Sequence, residues 1–501
     1  MRPSLTVFPL RAFKPLRLLC CIGLLPLLIL ASWPAGNHVL RIACFDFPRT
    51  FNPVYATSET AQAVANKIYH ALFHFDRQGH VCPELVESFS WEEGRLAISL
   101  MLKAGVRFSD GSVLDSRDVA ATIALLKKPE IAYPYLSDLD YIESVEVVGP
   151  HTLRLRLKGK FAPWRNYLTF KVLSAGEIEG MEAQAFRRLS PLGSGPYRLA
   201  AVEEPWKLEL EKNPFWPTRL RYARIRYSVL GEPRQAPLKL LNSEIDAVEI
   251  HGDDAQAHGR LKKWQERFGL LRYKKFGFTY LVFNLRDPAI GLNLRRIFFN
   301  FLQETRFLPV FLEGRGEQVF SPFLLLDPGK RPRPLPVEPL PARRPLRLVT
   351  NSESTLRKQL VLFLCQEMKA SGIELEPVFL EYQMFLQCLK KGEFDLALSA
   401  FLLDMDWNMK DVLGSSGYFN YAGYANARMD AALDEGLREM DEEKRRVIYR
   451  RAHDLWLEEL PLIPLFNLHY YMGVARGIKV PAGRFELVGS CGDFFYNIQD
   501  W

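Results

Sequence analysis

The 501-residue sequence predicts an α/β fold, and the spacing of its apolar residues is the main reason. Strand-like alternation and helix-like spacing follow one another along the chain, most regularly in its C-terminal half. The composition is 48% hydrophobic and 25% charged, which is typical of a globular protein and excludes a disordered chain. The length allows about three domains, or two large lobes, at roughly 150 residues per domain.

The N-terminal half opens with a strand at 40–45 and a helix over about 59–73, where alanines and larger apolar residues recur at helical spacing. Alternating leucines then predict strands near 96–102 and 153–157. In the second of these, basic residues occupy the other face, which indicates a half-exposed antiparallel strand. Between them Asp115 and Asp118 begin a helix, because carboxylates in a first turn suit the helix dipole.

The C-terminal half alternates more regularly between the two patterns. Helices are predicted over 294–302 and 356–368 and from Asp441 onward, with strands at 346–349, after Gly372 and at 394–398. Strands that alternate with helices predict an α/β lobe with a largely parallel sheet.

The net charge of +7 is concentrated in two segments. Residues 1–40 carry four cations and no acid, and the cations precede the apolar run 18–31. This pattern predicts a secretion signal, with an uncleaved membrane anchor as the alternative. The second segment, 327–348, has a net charge of +4 and seven prolines, so we expect a surface loop. The rest is near neutral, and no nucleic-acid partner is predicted.

The usual signatures of catalysis are missing from the sequence, which contains no GxSxG, HExxH, Walker or GxGxxG motif. His70 and His74 are four residues apart on the predicted helix but have no third ligand, so they are interpreted as surface residues. The five cysteines beyond the signal form no CxxC pair. Free thiols are expected, although a Cys365–Cys388 bridge is allowed. We therefore predict a binding protein without enzymatic activity, metal or cofactor.

Eight short segments, spread over about 40–480, resemble motifs of the family 5 extracellular solute-binding proteins, the oligopeptide, dipeptide and nickel-type receptors of ABC importers. The first is Gly105-Val106-Arg107-Phe108-Ser109-Asp110-Gly111 with Asp115 and Asp118, similar to "GVKFSDG…T-x-x-DV". Each motif is weak alone, but all follow the family's order. The others are 83–91, 193–197 ("GTGPY"), 211–216 ("ERNPDYW"), 242–246 ("SGEID"), 283–296 ("FN…RVRQA"), 423–430 ("GY-x-N-x-x-x-D") and 460–465 ("PIIPL").

The resemblance implies a two-lobe periplasmic-binding-protein clamp (type II, cluster C-like) with an extra inserted domain. The predicted hinge is two crossing strands near 275 and 477. By position the segments are 1–36 signal peptide or anchor, 37–74 lobe I, 75–189 inserted domain II, 190–275 lobe I, 276–477 lobe II and 478–501 lobe I tail. In such a clamp an extended ligand lies between lobes that close over it.

The resemblance also implies a ligand-binding carboxylate just after the strand 394–401. Peptide-binding members carry an Asp there in "W-x-x-DY-x-x-P", and it pairs with the ligand's α-ammonium. Asp404 has this position, although Phe401 replaces the Trp, Met405 replaces the Tyr and the Pro is missing. Asp406 could serve instead of Asp404. The other interpretation is that both are solvated carboxylates at the end of a strand and bind no ligand. The other expected ligand contacts, each of which could instead be a core residue, are Phe401, Leu402, Trp407, Tyr280, Phe466 and Phe47.

The resemblance predicts a monomeric, periplasmic receptor, released or tethered to the outer face of the inner membrane. It would capture short peptides and deliver them to an ABC permease in that membrane, with peptide main chain pairing with strand edges. Two alternatives stay open. The same fold could bind a nickel chelate, haem, a sugar or a murein fragment, or a degenerate receptor could contact a membrane partner without transport.

Overall fold

The computed structural model describes residues 39–500, apart from 77–78, 135, 251, 253–254, 256–260, 304–306, 327–330, 341–343, 404 and 481–492. The predicted signal or anchor at 1–36 therefore lies outside the described residues. Within the part that is described, no helix is both long and apolar enough to cross a membrane.

Eighteen strands are present in the described part of the chain. In order they are β1 Val39–Cys44, β2 Phe73–Phe75, β3 Val81–Pro83, β4 Val86–Trp91, β5 Ala97–Leu102, β6 Ile142–Gly149, β7 Thr152–Leu157, β8 Tyr197–Glu203, β9 Lys207–Lys212, β10 Arg224–Val229, β11 Ala247–Ile250, β12 Phe268–Lys274, β13 Gly277–Phe283, β14 Gly316–Gln318, β15 Leu346–Asn351, β16 Leu375–Leu380, β17 Leu396–Leu402 and β18 Leu462–Ala475.

The α-helices of the described residues alternate with these strands. They are α1 Glu59–Ile68, α2 Ser116–Leu126, α3 Ala175–Ile178, α4 Ala183–Phe186, α5 Ala236–Leu241, α6 Lys262–Arg267, α7 Leu292–Gln303, α8 Phe307–Leu312, α9 Thr355–Glu367, α10 Tyr382–Lys391, α11 Lys410–Leu413, α12 Ala427–Arg438 and α13 Glu442–Glu459. Local chemistry sets several of their starts. Asp115 and Asp118 form a capping box on α2, and the Asp441 side chain caps α13.

One large sheet runs through the molecule in the order β16-β15-β17-β13-β18-β11-β1-β10-β9-β8, with β12 and β14 also paired to β18. The 14-residue β18 joins its two parts, because its first half pairs with β13 and β14 and its second half with β11 and β12. The chain crosses between the parts at 275–276 and again within β18 at 466–469. This second crossing lies earlier in the chain than the predicted position near 477. The reason is that β18 passes from one part of the sheet to the other in the middle of a single continuous strand.

The prediction of a largely parallel C-terminal sheet was wrong. Only β15, β16 and β17 run parallel, in a βαβαβ unit with α9 and α10 as crossovers. The neighbouring β13 is antiparallel to β17, and β18 is antiparallel to β13. The direction of β13 and β18 is set by the crossings to the other part of the sheet and not by helical crossovers. The alternation of helices and strands in the sequence therefore did not indicate it.

Two large hydrophobic cores lie on either side of the crossings. The first contains side chains of β1, β10 and the four-stranded antiparallel sheet β4-β5-β7-β6, and it includes Phe494, Phe495 and Ile498 near the C-terminus. The second contains side chains of β13, β15, β17 and the helices around them. We call these parts lobe I and lobe II. The segment boundaries given above remain predictions.

The helix predicted over 59–73 ends five residues early, at Ile68. His70 and His74 are therefore not on one helix face, and neither is an exposed surface residue. His74 belongs to β2, where it is paired with Cys82, and the His70 ring lies 3.2 Å from Ser194 Oγ and against Trp216. The helical spacing continued by chance into an extended segment that buries Ala71 and Phe73 between neighbouring strands and loops.

Over residues 331–340 the proline-rich segment contains neither helix nor strand and is mostly exposed, as predicted, whereas its last three residues, 346–348, belong to β15. Two asparagines of α7 hold it by paired hydrogen bonds with main chain, Asn293 to Glu338 and Asn300 to Leu335. Arg344 binds both oxygens of Asp395, so part of the basic charge is already paired. The cysteines at 44, 82, 365 and 388 are free thiols, as expected.

Candidate ligand-binding site

Three neighbouring strands of lobe II bring part of the predicted site together. Tyr280 on β13 and Phe401 on β17 lie with their rings 4.4 Å apart, and Phe278 lies 5.0 Å from Phe401. Phe466 follows on β18, opposite Thr279. Tyr280 and Phe466 are fully buried, so they contribute to the core of lobe II, whereas Phe401 is half-buried.

Leu402 lies at the end of β17 and is 45% exposed, the most exposed of the predicted contacts that the structure describes. Its backbone pairs with Gly277, directly after the first crossing. The two strands approach so closely there that a Cβ on Gly277 would lie 2.2 Å from the Phe401 carbonyl oxygen. Phe401 and Leu402 therefore lie beside the crossing, where a clamp would hold its ligand.

Asp404, the carboxylate singled out from the sequence, lies outside the described residues. Asp406 has a different environment from the one expected of a ligand-binding carboxylate. Both of its oxygens accept hydrogen bonds from Arg445, at 2.6 and 2.8 Å, and the two side chains are 7% and 10% exposed. An ion pair this buried holds the chain in place, so in this arrangement Asp406 has no free oxygen aimed at a cleft.

Trp407 belongs to the same cluster as Asp406. Its ring is buried between the guanidinium groups of Arg445 and Arg446, at 5.5 and 5.6 Å, and packs edge-on against Tyr449. Phe47 lies apart from both groups, half-buried in lobe I and edge-on to Phe51. The predicted residues thus form an aromatic group, an anchored Asp–Trp pair and one separate phenylalanine.

Arg357 is a candidate that the sequence reasoning missed. Its guanidinium is half-buried and donates to Asn351 Oδ1 through Nε, at 3.0 Å, and through Nη2. Among the described residues, no carboxylate oxygen lies within 4 Å of it. Burial lowers the pKa of Arg357, and Tyr280, Tyr382, Tyr470 and the Glu353 carboxylate, which accepts a hydrogen bond from the same Asn351, oppose that shift only in part. An anionic ligand group would supply the missing partner.

One signal in the sequence could have identified Arg357. It is the third residue of α9, which Ser354 caps, and a cation in a first turn opposes the helix dipole. The free N–H groups of that turn and the guanidinium both favour an anion.

The surroundings of Arg357 reach the crossing between the lobes. Tyr470 on β18 influences the pKa of Arg357, and the Lys275 ammonium stands 4.2 Å above the Tyr470 ring. Lys275 is almost fully buried and forms ion pairs with Glu59 at 2.7 Å and Glu249 at 3.5 Å, both in lobe I. The site is therefore cationic and aromatic on the lobe II side, with paired charges at the crossing. Among the described residues, no three His, Cys, Asp or Glu side chains could hold a metal ion.

Two lobes joined by crossing strands define the protein as a two-lobe clamp of the periplasmic-binding-protein class. Residues 80–300 match the profile "Bacterial extracellular solute-binding proteins, family 5 Middle". The resembling motifs at 423–430 and 460–465 lie outside that range, so the similarity to the family 5 extracellular solute-binding proteins, the receptors of ABC importers, extends beyond the matched middle of the chain.

Two relatives with curated names are distant but match over most of their length. The oligopeptide-binding protein AppA of Bacillus subtilis (strain 168) is 21% identical over 90% of each chain. The glutathione-binding protein GsiB of Salmonella paratyphi A is 22% identical, over 83% of this chain and 86% of its own. Both are named as binding proteins, in agreement with the prediction of a receptor and not an enzyme.

Solved structures confirm the fold. NikZ from Campylobacter jejuni, in complex with Ni(L-His), has a TM-score of 0.78 at 21% identity, over 93% of this chain and 99% of its own. AppA from Bacillus subtilis, in complex with a nonapeptide, has a TM-score of 0.73 at 19% identity, over 93% and 98%. Identities this low leave the ligand of the present chain open.

Proposed function

We propose that this receptor captures short peptides between its lobes and delivers them to an ABC permease in the inner membrane. The observation that carries the proposal is Arg357, a half-buried guanidinium that donates to an amide oxygen and has no carboxylate oxygen within 4 Å among the described residues. A peptide in its zwitterionic form offers a free carboxylate at one end. Asp404, predicted from the sequence, would bind the ammonium at the other end.

The peptide proposal also accounts for the aromatic surroundings. Tyr382, which influences the pKa of Arg357, is 47% exposed, and Phe401 and Leu402 present partly exposed apolar surface at the end of β17. Such surfaces can pack against varied side chains while the terminal charges fix the orientation of the main chain. AppA and its nonapeptide provide a precedent for a peptide in this fold.

The first test asks whether peptides bind at all. Native mass spectrometry of the purified protein should show co-purifying mass in the peptide range, and pools of di- to pentapeptides should raise the melting temperature. If no peptide co-purifies and no pool shifts the melting temperature, the peptide proposal fails.

The second test assigns the carboxylate end. Arg357→Gln should weaken binding of a peptide with a free C-terminus by about 10- to 100-fold, since a hydrogen bond to a charged group contributes about 1.5–3 kcal/mol. The same peptide with an amidated C-terminus should bind the variant and the parent protein alike. Arg428→Gln, at an exposed position of α12, is the matched control and should change neither affinity. Equal losses for both peptides would contradict the assignment.

A metal chelate that includes a carboxylate group is the second candidate, favoured by the similarity to NikZ with Ni(L-His). Arg357 could bind the carboxylate of such a chelate as well. The two candidates differ at Asp404, because a ligand without an α-ammonium should bind equally well to Asp404→Ala. Calorimetry of Ni(L-His) against both forms distinguishes them.

A further inference from the structure

The segment 405–408, which directly follows Asp404, is in contact with a loop from the other side of the molecule. The Asn166 side-chain amide donates to the Met405 carbonyl oxygen at 2.9 Å. Tyr167 Oη lies 3.5 Å from the Asn408 amide. Asn166 and Tyr167 belong to the loop 161–167 after β7, which packs with the core of lobe I, whereas Trp407 belongs to the core of lobe II.

A second contact joins the same two bodies. The backbone N–H of Ala162 donates to the carbonyl oxygen of Leu437, near the end of α12, at 2.7 Å. A polar cavity of about 530 Å³ lies beside it, lined by Arg95 and Lys160 from one side and by 438–442 and Lys444 from the other. The interface in this region thus combines hydrogen bonds and a polar cavity with apolar contacts, since the Met405 side chain lies against Gly79 and Met440 packs with the core of lobe I. Such a mixed interface can separate more easily than a sealed apolar core.

Each contact surface is held rigid by its own lobe. In the loop, Phe161 stacks on Tyr141 with ring centroids 4.3 Å apart, and Tyr141 Oη donates to the Trp164 carbonyl oxygen. In lobe II, Arg445 binds the Asp406 carboxylate and also donates through Nε to the Gly436 carbonyl oxygen at 2.8 Å. Asp406 adjoins Met405 and Gly436 adjoins Leu437, so one arginine ties both contact points together.

We propose that the loop 161–167 is a latch that holds the clamp closed and positions the 405–408 segment for ligand retention. Rotation about the crossings at 275–276 and 466–469 moves the two cores apart. The Asn166–Met405 and Ala162–Leu437 hydrogen bonds must then break. The positioning role rests on the proposed function, because it assumes that the residues preceding Met405 contact the ligand.

The latch is tested without ligand by hydrogen exchange at the Ala162 amide, which should be protected only while the lobes are in contact. Asn166→Asp keeps the side-chain shape but removes the donor to Met405. It should speed exchange at Ala162 several-fold and increase the radius of gyration in solution scattering. Asn293→Ala, which removes two hydrogen bonds to the Glu338 main chain within lobe II, is the control and should change neither quantity.

A second variant covers the case in which Asn166→Asp folds poorly. Tyr167→Phe removes only the hydroxyl beside Asn408 and should speed exchange at Ala162 to a smaller extent. An Ala162 amide that exchanges at the unprotected rate in the parent protein would overturn the proposal. The proposal would also be overturned if the Ala162 amide exchanged no faster in Tyr167→Phe, or in a folded Asn166→Asp, than it does in Asn293→Ala.

Ligand retention is measured with trialanine as the probe. Asn166→Asp should release it about tenfold faster while the association rate changes by less than about twofold. An unchanged release rate together with faster Ala162 exchange would overturn the positioning role. If trialanine and the peptide pools bind neither form, the peptide proposal fails, and the exchange result still decides whether the latch exists.

Discussion

Arg445 and Arg357 are both arginines withdrawn from solvent in lobe II, and they differ in what surrounds the charge. Burial alone would lower the pKa of Arg445, but the charge and hydrogen bonds of Asp406 raise it above its ordinary value. Arg357 has an amide oxygen in place of a carboxylate, and burial leaves its pKa lowered. A buried charge whose partner is built into the chain stabilises the fold, whereas one without a partner is available to a ligand.

The largest effect is expected at the paired arginine. Arg445→Met should reduce the free energy of unfolding by about 3–5 kcal/mol, because Asp406 is left buried without a counter-charge. Urea denaturation measures the loss. The double variant Arg445→Met with Asp406→Leu should recover most of it, and a double variant as unstable as the single one would refute the ion-pair explanation.

A second paired cation lies in lobe I and extends the comparison. Lys67 of α1 binds Asp493 at 2.5 Å, with both side chains almost fully buried, and thereby holds the C-terminal segment. Asp493→Asn should lower the free energy of unfolding by about 2–3 kcal/mol, since the amide can still accept a hydrogen bond but carries no charge. Denaturant unfolding followed by tryptophan fluorescence measures it. A change below about 0.5 kcal/mol would show that this pair is not structural.

His70 illustrates a third way to bury a basic group, which is to keep it neutral. Burial lowers the pKa of His70 to about 3, with smaller contributions from Lys171 and Lys103. The unfolded chain takes up this proton near pH 6.5, so stability is complete above that pH and falls progressively toward pH 3. In His70→Gln this titration is absent, so below pH 6.5 the free energy of unfolding should fall less steeply, by up to roughly 1 kcal/mol per pH unit. Denaturant midpoints measured from pH 7 to pH 4 check this, and parallel pH curves for both proteins would contradict it.

The smallest effect on stability is expected at the unpaired arginine. Arg357→Gln removes a half-buried charge that has no carboxylate partner among the described residues, so the free energy of unfolding should stay within about 1 kcal/mol or rise. Thermal unfolding without ligand measures it. A loss above about 2 kcal/mol would mean that Arg357 is structural and would erase the contrast with Arg445.

Much of the fold could be predicted from short stretches of sequence. The capping box of α2, the Asp441 cap of α13 and the alternation in β7 correspond to predicted elements, because each depends on residues only a few positions apart. The family resemblance supplied the two-lobe clamp. The helix over 59–73 was extended too far because Leu72 continues the spacing of α1 although it lies in an extended segment.

The candidate site was less predictable. Phe401 and Tyr280, both predicted as ligand contacts, lie together because β17 and β13 are adjacent strands, and their contact with a ligand stays a prediction. Asp406 was proposed as a ligand carboxylate, but its partner Arg445 lies 39 residues further on, on a helix whose docking no local pattern indicates. Arg357 was overlooked because its significance depends on what is absent around it.

The sequence alone determined where several helices and strands begin, the resemblance to family 5, and the absence of recognisable catalytic motifs. The tertiary structure decided which charges are paired, as with Asp406 and Arg445 or with Lys67 and Asp493, which are 426 residues apart. It also decided that β13 and β18 run antiparallel and that the loop 161–167 meets the 405–408 segment. Caps and periodicity act over one or two turns of chain, whereas the partner of a buried charge is set only when distant elements pack together.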